Sequence, residues 1–196
     1  MESFECKRMA IECEVSSIYD VVALNALNRP GAKLSFPEYV KNKKEGTSSC
    51  HKDLMPIFKS TNYVLIYQEQ TLKIFGLAGF DETERDVARR SIGKKCQEDM
   101  VKLEKKFKEG FKKLNWIESD INDLWKLVLK QSEYSFNLGH SQAYGLLSYL
   151  TAYLKYYYPA QYMKALLNSV KDNPQQMAKY MAECESMSIK VLPPNI

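Results

Sequence analysis

The chain has 196 residues, 45% hydrophobic and 27% charged, so it is long enough to bury a core and too apolar to stay disordered. Its net charge of +4 is too small by itself to argue for a polyanionic partner. The five cysteines are odd in number and lack a CxxC pair, which points to neither a disulfide framework nor a zinc site and predicts reduced thiols in a cytoplasmic protein.

The N-terminus, "MESFECKRMAIEC", has no apolar core of the kind a signal peptide needs, and residues 1–15 carry no assignment. Ser16 or Ser17 caps a helix reaching about Asn28, where "NRPG" stops it. A short helix follows over 36–44, then a polar loop, "KNKKEGTSSCHKD". "YVLIYQEQTLKIFGLAG" begins strand-like at Val64, Leu65 and Ile66, and turns helical before Gly79. Asp81 and Glu84 form a D-x-x-E capping pair that opens the next helix, and Gly93 is placed to end it.

From Gln97, the residues Met100, Leu103, Phe107, Phe111 and Leu114 recur at helical spacing beneath a lysine-rich outer face. Ile121, Leu124, Trp125 and Val128 mark another amphipathic helix. The stretch 143–158 is apolar, but Ser148, Thr151 and Lys155 argue against a membrane span, so it is expected to be a central buried helix. Pro159 suits the first turn of the next helix, and Asn173-Pro174 opens the last. The predicted architecture is predominantly all-α with at most one or two short strands. One helical domain is expected over 16–188, with an extended tail over 189–196.

Two segments carry candidate chemistry. In "ARRSIGKK", Arg89 and Arg90 precede Lys94 and Lys95, four cations within seven residues that suit an anionic group. Arginine grips phosphate oxygens in bidentate fashion, and lysine acts as a point charge. A structural reading fits equally: cations at a helix C-terminus are favoured by about 0.3–1 kcal/mol each, and Asp86 is placed to pair with Arg90. In "SFNLGHSQAY", Asn137 or Ser141 caps a helix with His140 at its edge, and Tyr144 lies one turn on. No nucleophile–base pair is evident, so a hydrolytic triad lacks support. Between Arg85 and Lys113 there are 11 Lys/Arg against 5 Asp/Glu, which fits either a solvated face or a nucleic-acid contact. Glu69, in "YQEQ", needs either an exposed helix face or a partner.

Taken in order, "ALNRPGA", "LIYQEQTLKIFGLAGF", "ARRSIGKK", "SFNLGHSQAYGLLSYLTAYLKYYYPAQYMKALL" and "IKVLPPNI" resemble the fingers region of the family C polymerases, the bacterial replicative DNA polymerase III α subunits. The resemblance runs from about Tyr19 to Ile196. Leu138-Gly139 stands where the family has Lys-Ser, and Ala88 where it has leucine. The resemblance implies a fingers module that binds the triphosphate of the incoming dNTP through Arg89 and Arg90, with Lys94 and Lys95 assisting. Asn137, His140, Ser141 and Tyr144 would lie near nucleotide or primer–template DNA. It also implies that the catalytic aspartates and their Mg2+ belong to a palm domain outside this chain, since the chain has no D-x-D. The chain alone would then be inactive, with the palm and other polymerase domains as partners and no membrane. The rival expectation is a non-catalytic helical module, a polymerase remnant or an adaptor binding DNA or protein.

Overall fold

The computed structural model describes residues 4–46, 50–94, 97–132 and 136–192. Among these there are eleven α-helices, two short 3-10 turns and no strand. The chain divides into two compact units, residues 1–146 and 147–196. No helix among the described residues is long and apolar enough to cross a membrane.

The first unit opens with α1 (Phe4–Glu12), α2 (Ile18–Leu27) and α3 (Phe36–Glu45). Ser17 caps α2, its hydroxyl accepting from the Asp20 amide while the Asp20 carboxylate accepts from the Ser17 amide. Asp20 is buried, and its carboxylate also accepts from the Ser16 amide, the Tyr39 hydroxyl and the Lys43 ammonium at 2.8–2.9 Å. Burial alone would raise its pKa, but these donors outweigh it and hold the carboxyl below the usual range. The same dense environment pushes the Tyr39 phenol far up. Around this polar centre pack Met9, Leu24, Leu27, Tyr39, Ile66 and Phe136.

A second core lies between α5 (Gln68–Leu77), α6 (Glu82–Lys94), α7 (Gln97–Lys113) and α8 (Glu118–Ser132). A one-turn helix α4 (Met55–Phe58) closes one edge. The Phe107 ring stands 5.6 Å from Phe75, 5.0 Å from Trp125 and 4.8 Å from Phe111 between centroids, within the range where aromatic pairs attract. Gly110 lets α7 touch the end of α5: a Cβ there would lie 2.0 Å from the Ala78 carbonyl oxygen. The Asp81–Glu84 capping pair forms as the sequence predicts, each side chain accepting the other's amide at 2.8 Å.

Helix α9 (Leu138–Tyr157) contributes its first nine residues to the first unit and the rest to the second. The second unit also holds α10 (Pro159–Ser169) and α11 (Pro174–Ser186), joined by a small core of Met163, Tyr180 and Cys184. A Lys155–Glu183 ion pair ties α9 to α11 within that unit.

Three expectations need correcting. Helix α9 is not a buried centre: only Ser141 and Gly145 are buried, while Tyr144, Leu146, Leu150 and Leu154 are exposed. Its apolar residues lie all round the helix, and in the first unit the seat against α2 uses only the small stripe of Ser141 and Gly145, whose Cβ position lies 2.6 Å from Val22 Cγ2. The strand-like Val64–Ile66 segment is buried but forms no strand; among the described residues a single parallel bridge links Tyr67 to Phe136. Gly93 does not end α6, which continues to Lys94 without a left-handed residue there. Residues left unassigned at the N-terminus form α1, whose Met9 is fully buried, as is Cys13 just after it.

Candidate functional site

The start of α9 is held by a local cap, Asn137, and by a carboxylate distant in sequence, Glu69. Asn137 caps the helix: its side-chain oxygen accepts from the His140 amide at 2.8 Å, and its carbonyl accepts from the Ser141 amide at 3.0 Å. Glu69, in the first turn of α5, accepts from the Leu138 amide at 2.9 Å and from the Asn137 side-chain amide at 3.1 Å. A carboxylate at a helix N-terminus both satisfies free N–H groups and meets the positive end of the macrodipole. Backbone bonds from Gln68 to Phe136 and from Phe136 to Ile66 complete the seam.

"YQEQ" thereby divides its labour. Gln70 turns inward and accepts from the Ile66 and Tyr67 amides at 2.8 and 2.9 Å, while donating to the Thr61 hydroxyl. Tyr67 is buried and hydrogen-bonded to the Ser141 side chain. Ser141 gives its own proton to the Val22 carbonyl at 2.6 Å. Burial raises the Tyr67 pKa, against the opposing effect of the Ser141 bond, and the phenol stays neutral.

Outward from this seam runs a ladder of rings. The Arg29 guanidinium sits 4.1 Å over the Phe136 ring. Phe136 is 5.3 Å from the His140 imidazole, which is 4.6 Å from the Tyr144 ring. Each step is close enough for cation–π or offset aromatic attraction. Arg29, His140 and Tyr144 are exposed, so the ladder presents two donors and a π face to solvent. The structure thus brings Asn137, His140 and Tyr144 together, adds Arg29, which residue-by-residue reading did not single out, and gives Glu69 the partners that reading left open. Arg29 lay in the "NRPG" turn and Glu69 in "YQEQ", but what each touches lies far along the chain. Ser141 belongs to the seat beneath, being fully buried.

The arginine pair forms a separate cluster on the second half of α6. Arg89 and Arg90 share one carboxylate: Asp86 accepts at 2.8 Å from Arg89 and at 2.5 Å from Arg90. All three side chains are well exposed, Arg90 at 66%. The Asp86 pKa is lowered by the Arg89 hydrogen bond first, with Arg90's charge adding and desolvation opposing. Two cations on one anion leave one positive charge uncompensated at the surface. Among the described residues no hydrogen bond, ion pair or ring contact joins this pair to the Arg29–Tyr144 ladder. Lys94 lies in the last turn of α6, but its side chain, and all of Lys95, fall outside the described residues. Among the described residues no group of three His, Cys, Asp or Glu is arranged to hold a metal ion.

Residues 1–115 match the family model described as the bacterial DNA polymerase III alpha subunit finger domain. The chain is similar to the DNA polymerase III subunit alpha of Halalkalibacterium halodurans (34% identity, covering 100% of this chain and 18% of the relative). It is also similar to those of Campylobacter jejuni (39% identity; 90% and 15%) and Rickettsia felis (37%; 100% and 16%). It therefore spans only 15–18% of the length of these relatives.

Proposed function

The chain belongs to the bacterial DNA polymerase III alpha subunit finger domain family, and from this we propose that it serves as the fingers module of a DNA-directed DNA polymerase in DNA replication. In this reading Arg89 and Arg90 bind the triphosphate of an incoming dNTP. The observation that carries it is the shared carboxylate: Asp86 offsets only one of two exposed guanidiniums. The pair is thus oriented yet still cationic. Bidentate guanidinium contacts would then meet the negative charge that builds on the phosphates during transfer.

The ladder from Arg29 to Tyr144 supplies the second element. Exposed aromatic and imidazole faces suit stacking on a base of the nucleotide or of the primer–template, which every base permits through its π face. Asn137 and Glu69 fix the angle at which His140 and Tyr144 leave α9. Lys94 and Lys95 follow the arginines in sequence and are assigned an assisting role at the same phosphates.

The residues described do not form a magnesium site. We assign the Mg2+ of the reaction to a palm domain outside this chain, with the palm and other polymerase domains as its partners. On this assignment the chain alone does not polymerise DNA.

The test places Arg89→Ala and Arg90→Ala in the polymerase that contains this module and follows single-nucleotide incorporation. The expected result is a raised apparent KM for dNTP with primer–template affinity kept. Unchanged KM and rate in both variants would remove the assignment. Salt-dependent DNA binding with no nucleotide effect would favour the adaptor reading instead.

A further inference from the structure

The outer face of α7 meets the end of α5 in a cleft of about 540 Å3. Four lysines line it, Lys102, Lys105, Lys106 and Lys113, against one carboxylate, Glu109. The floor is backbone and small residues: Ala78, Gly79 and Gly110. Lys102, Lys106, Glu109 and Lys113 follow one another at four-, three- and four-residue steps, so they form a single stripe along the helix. Lys106 already serves Glu84 and lies over the Phe80 ring. Among the described residues no ion pair engages Lys102, Lys105 or Lys113, whereas Lys108 and Lys112 on the same helix do have carboxylate partners. The unpaired cations are thus the ones gathered in the concavity.

We infer that this cleft is a binding site for the phosphodiester backbone of a nucleic acid. Three features favour that ligand over a compact anion. From Lys102 to Lys113 the helix rises about 16 Å. That length matches about five phosphates of one duplex strand, spaced ~3.4 Å along the axis, and is too extended for one triphosphate to engage every lysine. Lysine is a mobile point charge, suited to following a repeating anion and not to clasping one group in a fixed geometry. The cleft is open along the helix and floored by backbone, which allows a strand to lie close, and its concave walls concentrate the positive field. The site is separate from the Arg89–Arg90 pair, and its assignment stands whether or not that pair binds a nucleotide.

The experiment measures binding of a labelled DNA duplex and a labelled single strand to this chain by fluorescence anisotropy over a range of salt concentrations. The variant combines Lys102→Ala, Lys105→Ala and Lys113→Ala, all exposed and free of ion pairs, so the fold should persist; circular dichroism and a thermal melt check this. The dependence of log K on log salt should flatten by about 2.7 for duplex, at ~0.9 for each phosphate no longer neutralised, and by about 2 for single strand at ~0.7 each. Arg89→Ala/Arg90→Ala should keep that slope within about 0.9 of the parent value. A triple variant with the parent slope would overturn the proposal, as would a parent chain that binds no DNA at low salt. Tripolyphosphate bound through these lysines while DNA is not would reassign the cleft to a compact anion. Equal, lysine-dependent binding of a poly-glutamate peptide would reassign it to an acidic protein segment.

Discussion

Glu69 and Asn137 are 68 positions apart in sequence and 3.1 Å apart in the fold, the carboxylate accepting the side-chain amide. Because the same carboxylate accepts the Leu138 amide, one residue of α5 sets where α9 begins. Glu69→Ala should therefore loosen the first turn of α9 at a cost of about 1 kcal/mol, the usual value of an N-terminal cap. Glu69→Gln keeps one acceptor oxygen and should lose less. Thermal unfolding checks both, and hydrogen exchange at His140 and Ser141 should rise in the alanine variant first.

Asp20 is a buried anion served by donors from four residues, Ser16, Ser17, Tyr39 and Lys43. Its carboxyl titrates below its unfolded value, so its contribution is fully present above the unfolded pKa of about 3.9. It is lost as pH falls through the lower folded value. Asp20→Asn leaves Lys43 without its buried partner and should destabilise by about 3 kcal/mol or more. Tyr39→Phe removes one bond to the charge and should cost about 1.5–3 kcal/mol. Unfolding measured from pH 2 to 7 should show a shallower acid limb in the Asp20→Asn protein.

Gly110→Ala would set a methyl group 2.0 Å from a main-chain oxygen. Backbone cannot swing aside as a long side chain does, so the loss should exceed the about 1–3 kcal/mol typical of overpacking. Gly145→Ala meets Val22 mainly through a side-chain methyl and should cost less. A denaturant series at constant m-value would rank the two; the reverse order would mean that α5 and α7 separate readily.

Asp86→Asn removes the carboxylate that Arg89 and Arg90 share. With both guanidiniums released, polyphosphate should bind more tightly, by less than about tenfold because exposed pairs are weak. The gain should vanish at low pH, where protonated Asp86 no longer competes in the parent. Isothermal titration with tripolyphosphate at two pH values tests this. Weaker binding in Asp86→Asn would show that the carboxylate orients the arginines more than it occupies them.

Helical periodicity made α7 and α8 legible, since Phe107, Phe111, Ile121 and Trp125 bury the stripe their spacing marks. Capping chemistry located Asp81 and Asn173 correctly and left Ser17 as one of two choices with Ser16. Apolarity misled at α9, because composition reports that a surface is apolar and not whether another element covers it. The short α1 was missed because, among its described side chains, only Met9 is buried, giving no periodic stripe to detect. The ladder was legible only in part: His140 and Tyr144 are one turn apart, but Arg29 reaches Phe136 across most of the unit.

The close approach of Gly110 to Ala78 also limits how this scaffold can deform. Slipping α7 by one position would bring Glu109 or Phe111, each with a Cβ, to a spot where only hydrogen fits. Sliding is thus blocked where the two helices touch. Pivoting is the freedom that remains there, and a push delivered to α5 is passed to the lysine stripe without slack.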